Sequence, residues 1–127
     1  MDPLEAFRRS VSENIAALGS DPALHETTLR WIIQSNAHGY TYNHAWLGRP
    51  IIQYPQDMVA VQELIWRVRP DLIIETGIAH GGSLILSASL LALIDYTDAA
   101  AAGRSIDPKA GRSRVLGVDI DIRTHNR

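Results

Sequence analysis

The stretch Leu72-Ile73-Ile74-Glu75-Thr76-Gly77-Ile78-Ala79-His80-Gly81-Gly82-Ser83 decides the fold class. A short apolar run that ends in an acidic residue is typical of a parallel strand buried on both faces. A glycine-containing turn, Gly77 to Gly82, follows this run. The next residues, Ser83 to Ile94, are apolar on nearly every side of a helix, so we expect a buried helix there. This order of elements predicts the first half of a βαβ unit.

A second apolar run, Val115 to Val118, ends in Asp119 and completes the unit. We expect parallel strands at residues 71–76 and 114–120, joined by a helix that begins near Gly81. Between the helix and the second strand, Asp95 to Arg112 is polar and rich in Ala and Gly, which predicts a surface insertion. The fold class is therefore predicted to be α/β.

Helices are predicted before this unit. Asp2-Pro3 and Asp21-Pro22 each place an N-cap residue before a proline at the first helical position. Residues 1–39 are predicted to form an N-terminal helical arm, and residues 40–127 a second domain. Within that domain, Tyr40 to Pro55 lacks a clear period and predicts an ordered loop. A further helix is expected over Gln56 to Val68.

Composition excludes several classes of protein. The 127 residues carry a net charge of −2 and no cysteine, so no nucleic-acid partner, disulfide or thiolate metal site is expected. The longest apolar stretch, Leu84 to Ile94, is shorter than the roughly 20 residues that cross a bilayer. We therefore expect no transmembrane segment and a cytoplasmic location. Four of the five histidines lack metal-ligand spacing and are interpreted as structural: His25, His38, His44 and His125.

The glycine turn differs from two known phosphate-binding loops and suits a third kind of cofactor loop. A phosphate-binding P-loop needs a lysine where Ser83 stands, and a dinucleotide fingerprint needs glycine where Ala79 stands. An acidic strand end would also repel a pyrophosphate. Glu75 instead favours a cofactor whose methionine part carries an ammonium and a sulfonium.

Each residue near the turn has a predicted role in binding that cofactor. Gly77 and Gly81 allow close backbone approach, and Ser83 is placed to bind the methionine carboxylate. Asp119 is expected to accept the ribose hydroxyls. The full predicted set is Glu75, Gly77, Ala79, Gly81, Gly82, Ser83, Asp119 and Asp121; no catalytic or metal-binding residue is assigned.

Other interpretations of these residues stay open. Glu75 is also explained as a salt-bridged strand end, and Asp121 as a helix cap. His80 is either a base at the mouth of the site or a solvent-facing or backbone-bonded histidine. Trp46 and Tyr54 either line a lid over the cofactor or belong to an ordinary packed loop.

The pattern E-x-G-x-x-x-G-x-S, from Glu75 to Ser83, resembles the first motif of catechol-type O-methyltransferases. Longer strings resemble the cephalosporin hydroxylase family, which includes rhamnosyl O-methyltransferases. The resemblance covers residues 38 to 127. It rests on Tyr42-Asn43, Trp46-Leu47-Gly48, Pro50-Ile51-Ile52-Gln53-Tyr54-Pro55-Gln56-Asp57, Pro70 to Ser83, and Gly117-Val118-Asp119-Ile120-Asp121.

The resemblance implies a Rossmann-like class I methyltransferase fold that uses S-adenosylmethionine to methylate a hydroxyl of a sugar or natural product. Family members continue beyond the point that matches Arg127, so the sheet is expected to be incomplete and the chain truncated and inactive alone. Any Mg²⁺ would bind through residues beyond this chain. An incomplete sheet also predicts pairing of copies into a homo-oligomer. The alternatives are a non-catalytic fragment, a cofactor-binding or pairing module, and a nicotinamide-binding domain.

Overall fold

The computed structural model describes residues 2–126. The chain divides into two compact units, of which the first ends at Tyr40 and the second begins at Thr41.

The first unit contains two helices, α1 (Pro3–Gly19) and α2 (Pro22–Ala37). The carboxylate of Asp2 accepts a hydrogen bond from the backbone N–H of Leu4 at 3.1 Å, and Asp21 caps α2 in the same way. Both helices therefore begin at the predicted N-caps. Neither contains a buried residue among those described.

A short 3₁₀ helix, Tyr40–Tyr42, covers the point in the chain where the second unit begins, and a β-hairpin follows it. Strand β1 (His44–Trp46) pairs antiparallel with β2 (Arg49–Ile51). The prediction of a loop over Tyr40 to Pro55 is therefore wrong for these six strand residues. Leu47 and Gly48 connect the strands with φ values of 47° and 82°. Two positive φ values suit a two-residue hairpin turn, but leucine is rarely found in that conformation, so the turn carries little sequence signal.

The rest of the second unit contains the predicted βαβ arrangement. Helix α3 (Pro55–Val68) precedes β3 (Leu72–Thr76), α4 (Gly82–Ala101) and β4 (Arg114–Val118). Strands β3 and β4 are parallel, with Leu72 opposite Arg114 and Thr76 opposite Val118. The predicted strand pair and the start of the helix are confirmed; β4 ends two residues earlier than expected.

Helix α4 is longer than predicted. It continues through Asp95 to Ala101, so the interpretation of Asp95 to Arg112 as one surface insertion is wrong for its first seven residues. Alanine has the highest helix propensity of the amino acids, and the Ala99-Ala100-Ala101 run supports the extra turns. Gly103, with φ 62°, follows the helix.

The length of α4 bears on the expectation that the chain has no transmembrane segment. Its 20 residues are long and apolar enough to cross a bilayer, whereas Leu84 to Ile94 alone is too short. Core helices of soluble proteins meet the same criterion. Seven residues of α4 are buried against the rest of the second unit, including Leu86, Leu90 and Ile94.

The core lies between α4, the hairpin, α3 and one face of the parallel strand pair. Its buried members are Ile51, Ile65, Leu86, Leu90, Leu91 and Ile94, and Ile73 and Val115 pack against them from β3 and β4. Because side chains alternate along a strand, the neighbouring residues of β3 and β4 face the other way. Four apolar side chains on that outer face are about half exposed or more: Leu72, Ile74, Leu116 and Val118.

We expect this outer face to bind a hydrophobic dye. Contiguous exposed apolar surface of this kind is uncommon on monomeric proteins. The double substitution Ile74→Thr, Leu116→Thr places a β-branched residue, which suits a strand, at both positions and removes two of the four apolar side chains, so dye fluorescence should fall by about half. Val59→Thr on α3, also exposed, is the control and should change the signal little. Equal fluorescence in the wild type and the double variant would contradict this expectation.

Candidate cofactor site

A cavity of about 370 Å³ lies where β3 ends and α4 begins. This volume falls within the range of about 300–1,000 Å³ that is typical of small-molecule sites. Its residues come from three places: the glycine loop with its flanks (Glu75 to His80, Gly82 and Ser83), the hairpin and its exit (Pro50 to Gln53), and the helices (Val61, Leu86 and Ser87).

Glu75 and Ser83 meet inside this cavity. Glu75 is half-buried at the end of β3, and the Ser83 hydroxyl in the first turn of α4 donates a hydrogen bond to its carboxylate. A hydroxyl has one proton to donate, and Ser83 donates it to Glu75. In this arrangement Ser83 therefore holds the Glu75 side chain in place. The carboxylate has about four lone-pair sites, and it can therefore accept further hydrogen bonds from a cation in the cavity.

Gly77 and Ala79 line the cavity with an unusual backbone. Gly77 has a φ of 85° and Ala79 a φ of 47°. A side chain built on Gly77 would meet no atom within 4 Å, so the space next to its backbone is open. The predicted role of Gly77, which is to let a ligand approach the backbone, is compatible with this geometry.

Gly81 and Gly82 allow the chain to pack closely on itself. A Cβ on Gly82 would lie 2.3 Å from the carbonyl oxygen of Pro50 and 2.7 Å from the Cβ of Ile51. A Cβ on Gly81 would lie 2.9 Å from the side-chain oxygen of Asn126. The structure thus gives both glycines a packing role beside the predicted role in cofactor binding.

Asp119 supports the glycine loop from the end of β4. Its carboxylate accepts the backbone N–H of Ile78 at 2.7 Å and that of Asp121 at 3.1 Å. The hydrogen bond from Ile78, and then that from Asp121, hold the pKa of the Asp119 carboxyl below its usual value. The Asp121 side chain is exposed, and neither aspartate lines the cavity.

The lowered pKa of Asp119 predicts how loop stability depends on pH. A carboxylate whose pKa is lower in the folded state stabilises the fold above the unfolded pKa of about 3.9 and loses this effect as the pH falls through the folded pKa. The thermal stability of the wild type relative to Asp119→Asn should therefore stay constant from about pH 5 to 8 and shrink below about pH 4. Unfolding curves of both proteins across this range provide the measurement. A difference that grows on acidification would contradict the assignment.

His80 lines the cavity and is already engaged. Its Nε2 lies 3.1 Å from Nη1 of Arg123, and its ring stacks on that of His125 with 5.4 Å between centroids. Arginine only donates hydrogen bonds, so Nε2 accepts this one. The ring contacts two neighbouring side chains rather than the backbone, and these contacts favour a structural histidine over a base at the mouth of the site.

Trp46 belongs to the core. Its indole N–H donates to the Ser89 hydroxyl at 2.9 Å, and its ring packs against the buried cluster. This arrangement favours the packed interpretation over a lid. Sequence reasoning missed the hairpin wall of the cavity and the contacts of Arg49 and Asn126 with the glycine loop. The Pro50 to Asp57 string, which carried part of the family resemblance, was the one available signal for the wall.

Within residues 2–126, no group of three or more His, Asp or Glu side chains is arranged to hold a metal ion.

Most of the chain matches one known protein family. The family model described as rhamnosyl O-methyltransferase/CmcI matches residues 38–127. The chain belongs to this family. The match confirms the resemblance to the cephalosporin hydroxylase family over the same residues, and the family is one of methyltransferases. Neither curated proteins nor solved structures gave a match.

Proposed function

We propose that the chain binds S-adenosylmethionine at the glycine loop and takes part in methyl transfer to a hydroxyl oxygen of a sugar or natural product. The proposal includes a Rossmann-like methyltransferase fold for the second unit. Family membership supports the methyl-transfer chemistry, and the parallel β3–α4–β4 unit is the arrangement with which such folds begin.

One observation carries the proposal: Glu75, Gly77 and Ser83 border the same cavity at the carboxyl end of a parallel strand. In open α/β sheets, ligands bind beyond the carboxyl ends of the strands. The cavity joins an acidic side chain to an open stretch of backbone, which suits a ligand that carries positive charge.

These residues fit the methionine part of the cofactor. The half-buried Glu75 carboxylate can accept hydrogen bonds from an ammonium. The α4 N-cap, Gly81, makes no side-chain capping hydrogen bond. The amides of the first turn are therefore available to a carboxylate, which the helix dipole also favours there. The ammonium of the ligand would thus meet the negative charge of Glu75, and its carboxylate would meet the partial positive charge at the start of α4.

When bound, the cofactor supplies a methyl group on a positively charged sulfur. The chain itself positions the cofactor. Glu75 and α4 orient the methionine part, and the hairpin wall from Pro50 to Gln53 covers one side of the cavity. Placing the methyl group in line with an acceptor oxygen is the main way such a site accelerates the reaction. No described residue is assigned as the base for the acceptor hydroxyl.

Calorimetry on the chain tests the proposal. Titration with S-adenosylhomocysteine should give saturable binding with a stoichiometry of one, and titration with NAD should give none. Binding of NAD without binding of S-adenosylhomocysteine would replace the proposal with a nicotinamide-binding domain. Binding of neither would favour a pairing module without a cofactor.

A further inference from the structure

Arg49 joins three parts of the second unit through one nitrogen. Its Nη1 donates to the side-chain oxygen of Asn126 at 3.0 Å, to the carbonyl of His125 at 3.2 Å and to the carbonyl of His80 at 3.5 Å. Arg49 lies on β2, His80 in the glycine loop, and the other two residues in the 3₁₀ helix Thr124–Asn126. The hairpin, the loop and the segment after β4 are therefore tied together at a single point.

Asn126 completes this connection. Its side-chain nitrogen donates to the carbonyl of Ala79 at 2.9 Å while its side-chain oxygen accepts from Arg49. Only one orientation of the amide can do both, because arginine cannot accept and a carbonyl cannot donate. Gly81 leaves the space that the amide occupies, since a Cβ there would lie 2.9 Å from its oxygen.

The loop that these contacts hold includes one strained residue, Ala79, whose φ of 47° is rare for an amino acid with a side chain. Gly77 and Gly81 on either side have φ values of 85° and 81°, which glycine adopts without steric cost. A conformation like that of Ala79 persists where the surrounding structure enforces it. A loop that is already ordered also binds its ligand more tightly, because less freedom is lost on binding.

We propose that Arg49 and Asn126 are positioning residues that hold the glycine loop in its ligand-binding conformation. Neither residue lines the cavity, so they act through the carbonyls of Ala79 and His80. This inference rests on the proposed function where it concerns cofactor affinity. Its structural part, the order of the loop, can be measured without any ligand.

Arg49→Met removes the donors and keeps an apolar stem. Arg49→Lys is the conservative variant, because the contacts all come from one nitrogen and a lysine ammonium carries three donors on one atom. Asn126→Ala removes the other half of the connection. Arg69→Met is the matched control: Arg69 contacts Asp98 at 2.7 and 2.8 Å and is not part of the loop.

Amide hydrogen exchange of Ile78 and Gly81 reports loop order, and calorimetry with S-adenosylhomocysteine reports affinity. In Arg49→Met and in Asn126→Ala we expect about tenfold faster exchange and about tenfold weaker affinity. Arg49→Lys should recover part of both, and Arg69→Met should change neither. The double variant Arg49→Met, Asn126→Ala should be little worse than either single variant, because the two residues act as one unit.

Wild-type exchange rates in both Arg49→Met and Asn126→Ala would overturn the inference. Fully additive effects in the double variant would overturn the connection between the two residues. If Arg49→Met does not fold, Asn126→Ala decides by the same criterion. If the wild type binds no S-adenosylhomocysteine, the proposed function fails, while exchange at Ile78 and Gly81 still decides whether Arg49 and Asn126 order the loop.

Discussion

Replacing Gly82 with alanine is expected to destabilise the second unit strongly. The added Cβ would lie 2.3 Å from the Pro50 carbonyl oxygen and 2.8 Å from the Cα of Ile51. Both are backbone atoms, so relief requires α4 to move away from β2 as a whole. Ile51 is 2% exposed, and this movement would also disturb the core. We expect a loss of about 3 kcal/mol and a fall in Tm of about 10 °C or more, measured by thermal unfolding.

Gly77→Ala is the matched control for this prediction. Gly77 lies in the same loop and has a positive φ, but an added Cβ there would meet no atom within 4 Å. Its cost should be the backbone strain alone, about 1–2 kcal/mol. Equal stability losses in the two variants would show that α4 does not depend on close contact with the hairpin.

Replacing Glu75 with glutamine should abolish most of the cofactor affinity. The substitution keeps an oxygen that can accept from Ser83 and removes the negative charge that faces the cavity. A hydrogen bond to a charged partner contributes about 1.5–3 kcal/mol, so we expect S-adenosylhomocysteine to bind about ten- to a hundredfold more weakly. Calorimetry measures the affinity, and thermal unfolding should show a nearly unchanged Tm.

Glu63→Gln is the control for charge, because Glu63 is an exposed carboxylate on α3 that does not line the cavity. It should leave the affinity unchanged. Asp119→Ala should also weaken binding, by releasing the Ile78 amide and with it the loop. Wild-type affinity in both Glu75→Gln and Asp119→Ala would refute the predicted site.

The parallel strand pair could be predicted from the sequence because its signal is local. The apolar runs before Glu75 and Asp119 are each short and continuous, and a glycine turn and a helix separate the two runs. The hairpin could not be predicted, because its turn places a leucine at positive φ. Contacts across the fold, such as those of Trp46 with α4, hold that turn in place.

The glycine loop was predictable, but the separate roles of its glycines were not. Spacing alone assigns Gly77, Gly81 and Gly82 to the ligand. Of these three glycines, Gly77 alone has open space beside it, whereas Asn126 lies against Gly81 and Pro50 against Gly82. These contacts join residues that are 45 and 32 positions apart in the chain, and no local pattern records them.

A crystal structure of the chain grown with S-adenosylhomocysteine would show whether the glycine loop is the cofactor site. We expect the ligand's amino group to lie within about 3 Å of a Glu75 oxygen, with its carboxylate at the first turn of α4 and Gly77 against the methionine part. Ligand bound elsewhere on the chain, or a cavity without ligand at saturating concentration, would contradict it.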